Sequence, residues 1–197
     1  MAGTALAGVI RAEGKEPEVR TVRVDDSSRT AAAVVVPEGL NLVHTAQFLP
    51  LDDRGSIVGP ERAGEQAKVV LDRLETALKS AGSGLDQLVK VNVYATRPDV
   101  LPAFRTALSE RLTDRKARPA LTVVVGALAH PEALVAADAI AVTSETNRPL
   151  TAPTSGQRSG AAVAILPAGA KVYISGQAEP HTDLAESTRR TLKSLEK

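Results

Sequence analysis

The sequence predicts an α+β fold in which two helices pack on one face of a β-sheet. Three features predict it. Short Val- and Ala-rich runs alternate with period two, and two longer stretches repeat apolar residues at helical spacing. The segments come in the order strand, strand, helix, strand, helix, strand, strand, which suits helices segregated to one side of a sheet.

Residues 1–29 are mixed and polar, with Glu13, Lys15, Glu16, Pro17 and the cluster Asp25-Asp26-Ser27-Ser28. They read as a loose N-terminal leader or as a short added strand, since Val19–Val24 alternates apolar and polar. Ala31–Val36 reads as a strand ended by the turn signal Pro37-Glu38-Gly39, with Leu40–Leu49 as its hairpin partner. Pro50–Gly59 is a loop. Pro60 suits the first turn of a helix, and Ala63, Ala67, Val70, Leu71, Leu74 and Leu78 then recur on one face until Gly82 closes it. Leu88–Thr96 alternates, with Val89, Val91, Val93 and Ala95 on one side and Lys90, Asn92 and Tyr94 on the other. A second helix covers Val100–Leu112, and Ala120–Val125 and Leu134–Val142 are the last two strands of this unit.

Residues 30–143 therefore form one complete domain. Residues 144–158, rich in Ser, Thr, Pro and Gly, read as a linker. Beyond the linker the chain repeats its first hairpin and helix. Pro167–Gln177 lies over Pro37–Gln47 at a constant offset (167 − 37 = 130), and Leu184–Glu196 lies over Ala63–Glu75 at a shorter one (196 − 75 = 121). Residues 159–197 accordingly read as the start of a second domain, a hairpin plus a first helix that cannot bury a core alone. The expectation is a tandem protein whose second copy is truncated.

Composition narrows the functions. Net charge is +1, so no field gathers nucleic acid, and with 2% aromatic residues there is no stacking platform for single strands. The chain has no cysteine, which excludes disulfides and thiolate chemistry. No window is long and apolar enough to span a membrane, and no basic start precedes Ala5–Ile10, so the expected location is cytoplasmic. His44, His130 and His181 share no metal-ligand spacing, so no metal site is expected from them.

Two stretches carry a family likeness. Ala81–Tyr94 is similar to the helix end and central strand of the RidA (YjgF) family. Val172-Tyr173-Ile174-Ser175-Gly176-Gln177, followed by Thr182-Asp183-Leu184 and Thr188-Arg189, resembles that family's first hairpin and helix. Pro119–Val123 and Ala133–Val142 add weaker support. The resemblance implies a chorismate-mutase-like β-β-α-β-α-β-β fold and a homotrimer whose sheets form a central barrel. It also implies a small-molecule pocket at each subunit interface. The implied activity is an imine/enamine deaminase, a hydrolase that converts reactive 2-imino or enamine acids to 2-keto acids and ammonia with no metal or organic cofactor. In that chemistry an arginine fork holds the substrate carboxylate, and a carboxylate with backbone groups places the attacking water.

Residue by residue, the complete copy departs from this pattern. The arginine slot holds Leu121, the glutamate slot Ala136, and the polar position of the second helix Phe104. The Ser-Gly pair falls on Thr45-Ala46 and the first-strand tyrosine on about Ala32, while Asp138 matches a structural acid. A site lined by Leu121, Ala136 and Phe104 cannot fork a carboxylate. Arg118 stands three positions before Leu121, but strand alternation turns it to the opposite side. In the second copy Ser175-Gly176 keeps the family pattern, with Gly allowing close backbone approach. The candidate substrate-binding residues are thus Arg118, Thr45, Phe104, Leu121, Ser175 and Gly176, and the catalytic residues are not identified. Two functions fit: a divergent deaminase served by the second copy, or a non-catalytic trimer that binds a small metabolite or acts as scaffold.

Overall fold

A computed structural model describes residues 19–22, 30–112, 118–145, 162–169 and 182–195. Among them, a five-stranded mixed sheet carries two helices on one face, and the α+β class holds. Its strands are β3 (Asn41–Thr45), β4 (Leu88–Ala95), β5 (Ala120–Val125), β6 (Val135–Thr143) and β7 (Val163–Leu166). Across the sheet they run β5-β4-β6-β3-β7, parallel only between β4 and β5. The parallel pair is joined by helix α2 (Leu101–Arg111), the kind of crossover that parallel strands require.

Helix α1 (Ala63–Ser80) is the main cover of the sheet. Ala67, Val70, Leu71, Leu74 and Leu78 recur at helical spacing and are all buried, packed on Val43, Val91, Val93 and Ala139 from the strands. Glu65 in its first turn and Lys79 in its last oppose the helix dipole with the favourable sign. Its end is chemically explicit. Ser83 N–H donates to the Leu78 carbonyl and Gly82 N–H to that of Lys79, while Gly82 takes φ 64°, a conformation that suits glycine. Helix α2 buries Phe104, Ala107 and Leu108, and its Arg111 reaches Asp72 and Glu75 of α1 at 2.5 and 3.1 Å.

Gln66 is a wholly buried polar side chain. Its Oε1 accepts from Leu134 N–H at 2.7 Å, and its Nε2 donates to the carbonyls of Glu132 and Gly59. The loop that leads into β6 is thereby pinned to α1. Arg73 does the same for the loop after Phe48, donating to the Leu51 carbonyl with its guanidinium 5.7 Å from the Phe48 ring centre.

Three details differ from the expectation. Leu40–Leu49 does not run as one strand: Thr45 ends the regular pairing, and Phe48 rejoins β6 opposite Ala137, one residue out of step. That is a bulge, and the Thr45 hydroxyl fills the gap by accepting from Ala139 N–H. A register shift between Leu88 and Lys90 turns Val89 away from Val91 and Val93, to the sheet face opposite the helices. Finally, Ala31–Val36 is not the hairpin partner of the next strand. Its core, β2 (Ala33–Val35), pairs antiparallel with β1 (Arg20–Val22) in a separate ribbon, and β7 holds the edge of β3 instead. The ribbon lies on the open face of the sheet, where Val19, Val34 and Val36 pack on Leu42, Val89 and Val142.

The strand expected to open a second domain thus sits in the sheet of the first unit. Its expected hairpin partner, near 171–177, lies outside the described residues, as do the 144–158 linker from 146 onward and most of the leader. Helix α3 (Leu184–Leu195) forms where the repeat predicts it. Among the described residues, no helix is long and apolar enough to cross a membrane.

Candidate functional site

Among the described residues, those singled out from the sequence do not converge on one site. Leu121 stands beside Val91 in the β4–β5 ladder and packs against the main core, on the helix side of the sheet. Phe104 is in the same core, 1% exposed. Ala136 is also buried, but it alternates with Val135 and Ala137 and so belongs to the open face, opposite Tyr94. Arg118 donates to the Leu112 carbonyl at 2.6 Å, closing the C-terminal end of α2. It is a structural cation there, satisfying a helix-end carbonyl. Thr45 spends its hydroxyl on Ala139 N–H and on the Ala46 carbonyl. Ser175 and Gly176 lie outside the described residues, as does His181. Among the described residues, no three His, Asp or Glu side chains converge as metal ligands.

Two features of the open face are better candidates. The first is a groove of about 390 Å³ between the sheet and the ribbon, walled by Leu42, Val89 and Ile140 below and by Val34 and Val36 above. Lys90 is the one cationic side chain on its lining and Glu38 the one carboxylate, among the described residues. A mostly apolar cleft with one or two charged groups at its wall is the usual composition of a small-molecule site.

The second is a hydrogen-bonded row on the same face. Asn92 and Asp138 are directly opposite in the β4–β6 ladder, and Asn92 Nδ2 donates to Asp138 Oδ1 at 2.7 Å. Tyr94 is bonded to the same carboxylate. Partial burial raises its phenol pKa above the ordinary value, and the hydrogen bond to Asp138 and the negative charge there raise it further. Tyr94 therefore stays protonated and neutral through the physiological range.

Alternation along β4 already places Lys90, Asn92 and Tyr94 on one face, but it gives them no role. The missing element is the partner surface, since the groove exists only where the ribbon crosses the sheet.

Comparison with known proteins gives one family. The model of the endoribonuclease L-PSP family matches residues 32–143. Among solved structures, the chain is similar to a Rid-family protein of unknown function, YyfB of Yersinia pestis. Identity is 24% over 63% of this chain and 98% of that one, with a TM-score of 0.56. It is also similar to a YjgF-family member from Neisseria meningitidis (20% identity, 67% of this chain and 100% of that one, TM-score 0.46). Yeast Mmf1 is a further match (21% identity, 64% of this chain and 100% of that one, TM-score 0.47). No curated protein matches.

Proposed function

The chain belongs to the endoribonuclease L-PSP family, that of the RidA/YjgF proteins, and on that premise we propose that its 32–143 unit binds a small amphipathic metabolite without turning over imines. One observation carries the proposal: the residue in the arginine slot, Leu121, is apolar and packs into the core. Without a guanidinium fork an imino acid has no carboxylate clamp, and with Ala136 in the glutamate slot no carboxylate there places the attacking water. Arg118 does not stand in, because its guanidinium is committed to the Leu112 carbonyl.

The groove supplies the binding half of the proposal. Its apolar walls suit an aliphatic body, and the Lys90 ammonium suits an acidic or strongly accepting end. A homotrimer belongs to the same reading, with Val124 and Val125 on the edge strand, 47% and 48% exposed, as surface for it to cover. So does a cytoplasmic location. Sedimentation at three times the 20.5 kDa chain mass supports the trimer, and a monomer removes it.

The direct test is amide chemical-shift mapping with small fatty and branched-chain acids. Saturable shifts at Leu42, Lys90 and Ile140 that Lys90→Met weakens support the reading. Absence of shifts there with every acid sinks it.

A second reading keeps imine or enamine hydrolysis and assigns it to the repeat at 159–197. Its support is the Ser175-Gly176-Gln177 motif, which retains the family pattern that Thr45-Ala46 has lost.

A further inference from the structure

The edge of β3 is occupied in a telling register. Leu42 pairs with Leu166, Val43 with Ile165, His44 with Ala164 and Thr45 with Val163. The internal repeat, extended at its offset of 130, lays Val163, Ala164, Ile165 and Leu166 over Ala33, Val34, Val35 and Val36. Shifted by that offset, the observed pairing becomes the hairpin that β2 would make with β3. The repeat's own copy of β2 therefore sits where β2 itself belongs.

The displaced strand shows the consequence. Ile165 packs against the core and Val163 is 3% exposed, whereas their counterparts Val35 and Ala33 lie in the ribbon, with Val35 43% exposed. The turn of the alternative hairpin is nevertheless in place, because Leu40 N–H donates to the Pro37 carbonyl. Two opposing effects govern the choice. The four-residue link from Val36 to Asn41 makes closure with β2 entropically cheap, while β7, brought beside β3 by β6, must still close the 19 residues between Thr143 and Val163. Against that, Val163 and Ile165 each bury more apolar surface than Ala33 and Val35 would.

We propose that the β3 edge is a shared slot that either β7 or β2 fills, and that filling by β2 strips the ribbon from the open face. This deepens the binding reading, because Val34 and Val36 of the ribbon form the upper wall of the groove beside Lys90. The strand in the slot then decides whether the groove is walled or open. Exchange and binding are read separately, so either can fail without the other.

The test uses the full chain. Ala46 N–H donates to the Ala162 carbonyl, so alternation along the antiparallel ladder makes His44 and Ala164 a mutually bonded pair. Ala164→Pro removes the donor of that pair. By the repeat, Val34 would take the same position in the slot. The proposal expects His44 amide protection to survive in Ala164→Pro, where β2 steps in, and to fall at least tenfold in Ala164→Pro/Val34→Pro, where neither strand can.

The ribbon gives a second readout. The chain has no cysteine, so Thr21→Cys/Val34→Cys reports β1–β2 pairing by its disulfide, which should form at least tenfold more slowly when Ala164→Pro is added. The proposal is overturned by loss of His44 protection in the single variant, by equal protection in both variants, or by an unchanged disulfide rate. Loss of protection throughout the sheet, read at Val91 and Val93, overturns it too, since β2 would then be no substitute.

Discussion

Asn92 donates its side-chain amide to the Asp138 carboxylate at 2.7 Å, straight across the β4–β6 ladder and on the face away from the helices. Tyr94, two residues along the same strand, shares that carboxylate, so one acid organises both polar neighbours on this face.

Asp138→Asn should lower the Tyr94 pKa partway back toward its ordinary value. The charge and the strong acceptor are removed, while the larger contribution of burial remains. The same shift fixes a sign for stability. The folded pKa lies above the unfolded one, so above about pH 10 the unfolded state sheds its proton first and stability falls as pH rises. Spectrophotometric titration of tyrosinate, with Tyr173→Phe as background, reads the shift. An unchanged or raised Tyr94 pKa would contradict the assignment.

Gln66→Ala should cost about 2–3 kcal/mol, because it leaves the Leu134 N–H and the Glu132 carbonyl unpaired in or near the core and opens a cavity. Urea denaturation should show a lower midpoint with an unchanged slope. A midpoint within error of the parent would mean that water replaces the amide without loss.

Gly82→Ala should cost about 1–2 kcal/mol, the ordinary penalty for a left-handed backbone at a residue with a side chain. The new methyl group would also run into the Glu145 side chain. Pairing Gly82→Ala with Glu145→Ala separates the two causes. Full rescue by the second change would assign the whole loss to the contact, contrary to the backbone argument.

Leu121→Arg should not create a deaminase. The side chain at this position packs against the core, so the charged group costs about 1–3 kcal/mol in lost apolar burial and desolvation. Thermal melting reads the loss. Parent-like stability accompanied by new imine hydrolysis would show that the slot still faces a usable pocket.

Much of this architecture was legible because burial imprints a period on the chain. Val70, Leu71, Leu74 and Leu78 announce α1, and Val91, Val93 and Ala95 announce β4 with its helix-side face. Strand partners leave a weaker imprint. Ala33–Val35 and Val163–Leu166 are both short apolar runs ahead of a Pro-x-Gly turn, and nothing local ranks them for one slot. Side-chain volume and loop entropy decide that contest, and both belong to the whole chain.

The same limit explains the site. Leu121 and Ala136 could be read as departures from a pattern, since that needs only alignment along strands. The groove beside Lys90 could not be read, because its upper wall comes from Val34 and Val36, whose pattern points to the main sheet and not to a separate ribbon.

The measurement that bears most directly on the central claim is the rate of 2-iminobutyrate hydrolysis with and without a substoichiometric amount of the 197-residue chain. With Leu121 in the arginine slot and Arg118 bound to the Leu112 carbonyl, the account predicts the same spontaneous rate in both. A catalytic acceleration that persists after Ser175→Ala and Gly176→Ala are introduced would place an active deaminase site in the 32–143 unit and contradict it.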